Sequence, residues 1–132
     1  MPVTALYAGL LAPILVVLAV MVINRRRAAR VAIGHGEDTL LLRRMRVHAN
    51  FAEYVPLTLV LMGLAESLKT APLLLHAVGI TLLVGRLVHA YGVSQVNETL
   101  SYRVTGMLLT FTALIVGSLF CLAGAAGLPL RF

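Results

Sequence analysis

The chain has 132 residues, 60% of them hydrophobic and only 12% charged, with a net charge of +6. Soluble domains are roughly 45–50% apolar and about 25% charged, so this composition sets the chain apart from them and indicates a membrane protein. A single cysteine allows no intrachain disulfide.

The first predicted helix covers residues 4–24 and is apolar throughout. No positive charge precedes it and its apolar run is too long for a signal-peptide core, so it reads as a retained anchor. An arginine-rich connection follows, with Arg25, Arg26, Arg27 and Arg30 before the break at Gly34-His35-Gly36. Arg43, Arg44 and Arg46 lie after it. The next connection holds only Lys69. By the positive-inside rule the arginine-rich side is cytoplasmic and both termini are outside. Topology and anionic headgroups account for this charge without nucleic acid.

A second helix is expected over 39–67, capped by Asp38 or Thr39 and kinked at Pro56. Its strictly apolar part, 51–65, is short of the roughly 20 residues that span a bilayer. It crosses if its polar first turns project into water or into the bundle. Thr70-Ala71-Pro72 signals the start of a third helix, 72–92. Gly92 and the polar run 94–101 end it, and a fourth helix occupies 101–127. The fold class is therefore all-α: one domain, residues 1–132, built as a polytopic bundle of four transmembrane helices.

Helix 2 carries the sharpest functional signal. Arg46, Asn50 and Glu53 fall at i, i+4 and i+7, within one quadrant of the helix together with Tyr54. Ionisable groups in a membrane helix cost a few kcal/mol at depth and face a partner or a water-filled cavity. Two readings are open: a polar binding pocket, or a network that glues helices together. Other features read as structural. His76 and Cys121 are packing residues, and Gly117, Gly124 and Gly127 permit close helix contacts. Arg25 serves topology. His35 with Glu37 and Asp38 is too slight for a metal site, so no metal is expected.

The run RMRVHANFAEYVPL, followed by GRLVHAYG and an arginine opening helix 4, resembles the MAPEG family, membrane-associated proteins in eicosanoid and glutathione metabolism. ALYAGL, RVAIGHGED and RVTGMLLT are similar to its small bacterial branch. The resemblance implies a homotrimer of four-helix subunits in the bacterial inner membrane. It also implies glutathione as co-substrate, held between subunits on the cytoplasmic side, with a lipophilic second substrate. Arg46, His48, Asn50, Glu53 and Tyr54 match the family's glutathione-binding motif. Arg86 and His89 match a pair on helix 3, and Tyr91 stands for a tyrosine further on. Arg26 and Arg30 resemble arginines that reach across to a neighbouring subunit.

The chemistry so implied is thiolate activation for conjugation or peroxide reduction. A free thiol has a pKa of about 8.5 and attacks as thiolate, so a fixed cation beside the sulfur raises the reactive fraction. Arg103 is the expected catalytic residue, because arginine keeps its proton even when partly buried. Arg27 from a neighbour is the second candidate. The alternative function is a non-catalytic lipid- or glutathione-binding scaffold. A small-molecule transporter ranks third, since helix 1 lacks the membrane glutamate of small multidrug exporters and Glu53 has an arginine beside it.

Overall fold

The computed structural model describes residues 1–128 and 130. It contains four helices: α1 (Pro2–Ala29), α2 (Thr39–Ser67), α3 (Pro72–Ser94) and α4 (Leu100–Ala125). No strand occurs among the described residues. All four are long and apolar enough to cross a membrane. They run up and down through short connections, with α2 and α3 at the centre. α1 packs on α2 and α3 from one side, and α4 packs on the same two from the other.

α1 extends beyond the expected 4–24 at both ends. At its start, Pro2 occupies the first turn, where a missing N–H costs nothing. The Val3 and Thr4 amides donate to the Glu66 carboxylate of α2, each at 2.9 Å. Free amides at a helix N-terminus favour an anion, and here another helix supplies it. At its far end the helix continues through Arg25–Arg27 and stops at Arg30, in the left-handed region at φ 54°. Val3, Tyr7, Leu11 and Leu18 form its buried stripe. Tyr7 lies against Gly79, where any Cβ would collide with its ring. Its hydroxyl meets His76 Nδ1 at 3.0 Å and donates to the His76 carbonyl at 3.2 Å. His76 thus fastens α1 to α3.

Asp38, not Thr39, caps α2 by accepting from the Leu41 amide at 2.7 Å. The same carboxylate takes two hydrogen bonds from Arg25, at 2.6 and 3.2 Å. Arg25 beside it, together with the capped amide, holds Asp38 below the usual carboxylate range. Arg25 therefore ties the end of α1 to the start of α2, beyond any service to topology. Pro56 lies within a helix that runs unbroken to Ser67.

The tightest helix contact is α3 on α4, and the glycines that permit it differ from those expected. A Cβ on Gly106 would lie 2.6 Å from the His89 backbone nitrogen, and one on Gly85 2.9 Å from Leu109 Cβ. By contrast, nothing approaches Gly127 and only Leu61 comes near Gly117. Backbones that come this close need small residues between them. Of the three glycines expected to permit close contacts, Gly124 does so against the end of α2, where a Cβ would lie 3.0 Å from the Leu68 side chain.

Glu66 is the testable part of this frame. Glu66→Ala leaves the first amides of α1 without their anion. It should lower stability by about 1–2 kcal/mol, as for other lost N-caps, and accelerate amide exchange at Val3 and Thr4. Unchanged exchange at those two amides would show that the contact does not hold α1.

Candidate functional site

Arginines from α1 and α2 gather at one end of the bundle, with the loop between α3 and α4. There the polar residues of α2 divide. At about 100° per residue, Asn50 lies about 40° round the helix from Arg46, and Glu53 about 20° the other way. The buried stripe of α2, with Val47, Phe51, Val55, Thr58 and Met62, lies further round on Asn50's side. Asn50 and Tyr54 are consequently half-buried, whereas Arg46 and Glu53 are exposed. Among the described residues Arg46, His48 and the Glu53 carboxylate have no hydrogen bond or ion pair. Tyr54 rests edge-on against Phe111 of α4 at 5.4 Å between ring centres.

Asn50 meets the centre of the cluster. Arg86 of α3 is fully buried, at 0% exposure. Its guanidinium donates to Asn50 Oδ1 at 2.8 Å, to His89 Nδ1 at 2.8 Å and to Thr110 Oγ1 at 3.2 Å. The Phe51 ring lies 5.8 Å from its carbon. One cation thus joins α2, α3 and α4. Thr110 has no place in the sequence motifs, although its position four residues after Gly106 puts it on the close α3–α4 seam.

Arg103 stands in the first turn of α4, half-exposed. Its guanidinium lies 3.6 Å from Glu98, which also pairs with Arg43 of α2 at 3.3 Å. Glu98 is nearly enclosed, and its Oε2 makes no well-aligned hydrogen bond. The α4 backbone is held against α3 at Gly92, where a Cβ would lie 3.2 Å from the Arg103 nitrogen. Tyr91 is 60% exposed and stacks edge-on against Tyr102. It borders an apolar groove of about 460 Å³ between α1 and α3, with Pro13, Leu18, Met21 and Leu87. Sequence reasoning missed Glu98, whose one signal is being among only five acids in a chain rich in arginine.

The α1 arginines are not gathered with this group within one chain. Arg26 is occupied at home, donating to the Gly34 carbonyl at 2.7 Å and to Met45 sulfur at 3.3 Å. Arg27 and Arg30 are exposed and line a separate concavity with Ile23, Val31 and Ala32. The single chain therefore presents a buried network, an outward-facing cation–carboxylate pair, and free arginines on another helix.

These features define a multi-pass membrane protein of four helices with a polar, arginine-rich cluster built into one end. The MAPEG family model matches residues 4–123. The chain is also 38% identical over 114 residues to the inner membrane protein YecN of Escherichia coli K12, covering 86% of each chain. The protein of that name from Escherichia coli O6:H1 matches to the same extent. The chain belongs to the MAPEG family.

Glu98 gives a direct test of the cluster's outer edge. Glu98→Gln leaves Arg43 and Arg103 facing each other without their shared anion. Partly exposed ion pairs contribute about 0–1 kcal/mol, so global stability should hardly change. Amide exchange over residues 95–99 should nevertheless rise. Exchange identical to the parent would show that the acid does not order the loop.

Proposed function

We propose that the protein binds glutathione at its arginine-rich end and activates the thiol for attack on lipophilic electrophiles or hydroperoxides. The observation that carries this reading is the exposed Arg46 and Glu53 on a membrane helix, with no partner among the described residues. Charges on such a helix face a partner or water, and a zwitterionic peptide supplies both complements. A carboxylate of glutathione suits Arg46, its ammonium suits Glu53, and Asn50 and Tyr54 supply hydrogen bonds between them. Family membership makes glutathione the ligand of choice.

A second copy of the chain completes the site in this reading. Arg27 and Arg30 are exposed and line a concavity that holds no residue of α2, as they would if they served a neighbour's pocket in a homotrimer. The arginine-rich end lies in the cytoplasm under the positive-inside rule, where glutathione is available. The name of the Escherichia coli relatives supports the inner membrane. The second substrate arrives from the bilayer, and the apolar groove beside Tyr91 offers it a path.

Arg103 is the cation assigned to the sulfur. In conjugation to an aryl halide the thiolate forms the new carbon–sulfur bond and halide leaves. The cation's contribution is to raise the thiolate fraction near neutral pH. Held among the described residues by a loose pair with Glu98, Arg103 can turn toward an incoming anion at little cost.

Two variants separate binding from activation. Glu53→Gln loses a charge-assisted contact and should weaken glutathione binding about 10- to 100-fold while the oligomer stays intact by size exclusion. Dissociation of the oligomer with undiminished binding would instead make Glu53 an assembly residue. Arg103→Ala should bind glutathione yet lose turnover with 1-chloro-2,4-dinitrobenzene by about 100-fold. Because the lost cation lets the thiol pKa rise, raising pH should restore part of the rate. Parental turnover near neutral pH would clear Arg103 and turn attention to Arg27. Tight binding with no turnover in the parent would establish the non-catalytic scaffold.

A further inference from the structure

We infer that Arg86 is a positioning residue that fixes the hydrogen-bonding face the site presents. Through it, Asn50 offers only its amide NH₂ and His89 only its Nε2–H. One guanidinium fixes the hydrogen positions of the groups around it. Arginine has five N–H donors and no acceptor, so every atom it bonds must accept. Its Nη2 carries two hydrogens, and two acceptors lie 2.8 Å away: Asn50 Oδ1 and His89 Nδ1. Both hydrogens are committed.

The consequences for the partners are fixed by chemistry. The Asn50 oxygen is turned inward, so its nitrogen is the atom left for the site. That nitrogen has no partner among the described residues and is not one of the buried orphaned atoms. His89 accepts at Nδ1, so the neutral ring carries its hydrogen on Nε2, which likewise has no partner among the described residues. Thr110 completes the pattern. It accepts from Arg86 Nη1 and donates its own hydrogen to the Gly106 carbonyl at 2.8 Å, so it cannot compete for the ring or the amide.

Arg86 therefore acts without touching ligand, since it is wholly enclosed. On the α3 side the site presents donors alone, and its acceptor, Glu53, lies round the helix on the outward face. A ligand must place a carboxylate or carbonyl over Asn50 and His89 and its ammonium toward Glu53. This selects the orientation of a zwitterion as well as its charge. The identity of the ligand rests on the glutathione reading above, whereas the hydrogen pattern does not.

The test uses the full chain in detergent, with ¹⁵N-histidine and two-bond nitrogen–proton correlation spectra. His89 is assigned by its loss in His89→Asn. The expected spectrum shows His89 protonated on Nε2, and Arg86→Met should convert it to a tautomer mixture. A His89 ring protonated on Nδ1 in the parent would overturn the inference. Asn50→Asp supplies the second arm, because a carboxylate pairs with Arg86 at least as well as an amide but offers no N–H outward. This variant should match or exceed the parent in thermal stability while its glutathione Kd rises about 10- to 100-fold. Parental affinity in a stable Asn50→Asp would refute the donor role of Asn50. Should Arg86→Met fail to fold, the parent's His89 spectrum and Asn50→Asp still decide the matter. Absence of glutathione binding in the parent would sink the proposed function, yet the imidazole spectrum would still judge Arg86.

Discussion

The buried guanidinium of Arg86 is the constraint on which the rest of the bundle depends. Moving a charge out of water costs several kcal/mol even after the protein relaxes, and no carboxylate among the described residues forms an ion pair with it. Compensation comes from neutral acceptors on three helices: Asn50 on α2, His89 on α3 itself and Thr110 on α4. Slipping α2 or α4 by one residue would turn its acceptor away and leave the cation short of a partner. The close α3–α4 approach follows from the same need, because Thr110 reaches Arg86 across a seam kept narrow by Gly85 and Gly106. In a bilayer, where apolar packing alone does not distinguish protein from lipid tails, such a hub sets helix register more sharply than leucines could.

The hub also accounts for the division of labour on α2. Asn50 turns inward to serve Arg86, and this places Arg46 and Glu53 on the outward side of the same quadrant. Of the two readings of that quadrant, the interhelical network describes Asn50, whose amide oxygen accepts from Arg86. Arg46 and Glu53 stay exposed and take no part in that network. A similar economy holds at the helix ends. Glu66 of α2 caps α1, Arg25 of α1 braces the Asp38 cap of α2, and Glu98 gathers Arg43 and Arg103. Of the five acids in the chain, three thus hold one segment to another.

Chain order and helix count were legible without coordinates because hydrophobic length and turn residues are local signals. Four apolar runs, Pro72 at a helix start and Asp38 before one are properties of short windows of sequence. The family motif on α2 was equally legible, since its spacing places its members on one helical face. The extension of α1 to Pro2 was not, because the anion that caps its first turn is more than sixty residues away on Glu66. Gly85 and Gly106 of the α3–α4 seam could not be singled out for a similar reason. Which of eleven glycines meets a neighbouring backbone depends on where two helices cross, and their own sequence does not encode the crossing point.

By itself, then, the sequence determined that this is a four-helix membrane protein with arginines concentrated on one side and a polar motif at the mouth of α2. Those conclusions follow from composition, periodicity and spacing, all of which act along one helix. Only the tertiary structure decided that Arg86 is enclosed, that Asn50 faces inward while Glu53 faces out, that Arg26 is spent on its own loop and that Glu98 stands beside Arg103. The first two depend on contacts between helices distant in sequence, and the last two on how a loop folds back onto the helix beside it. The physical reason is that a charged side chain's role is set by the partner that offsets its desolvation, and the fold alone brings that partner within reach.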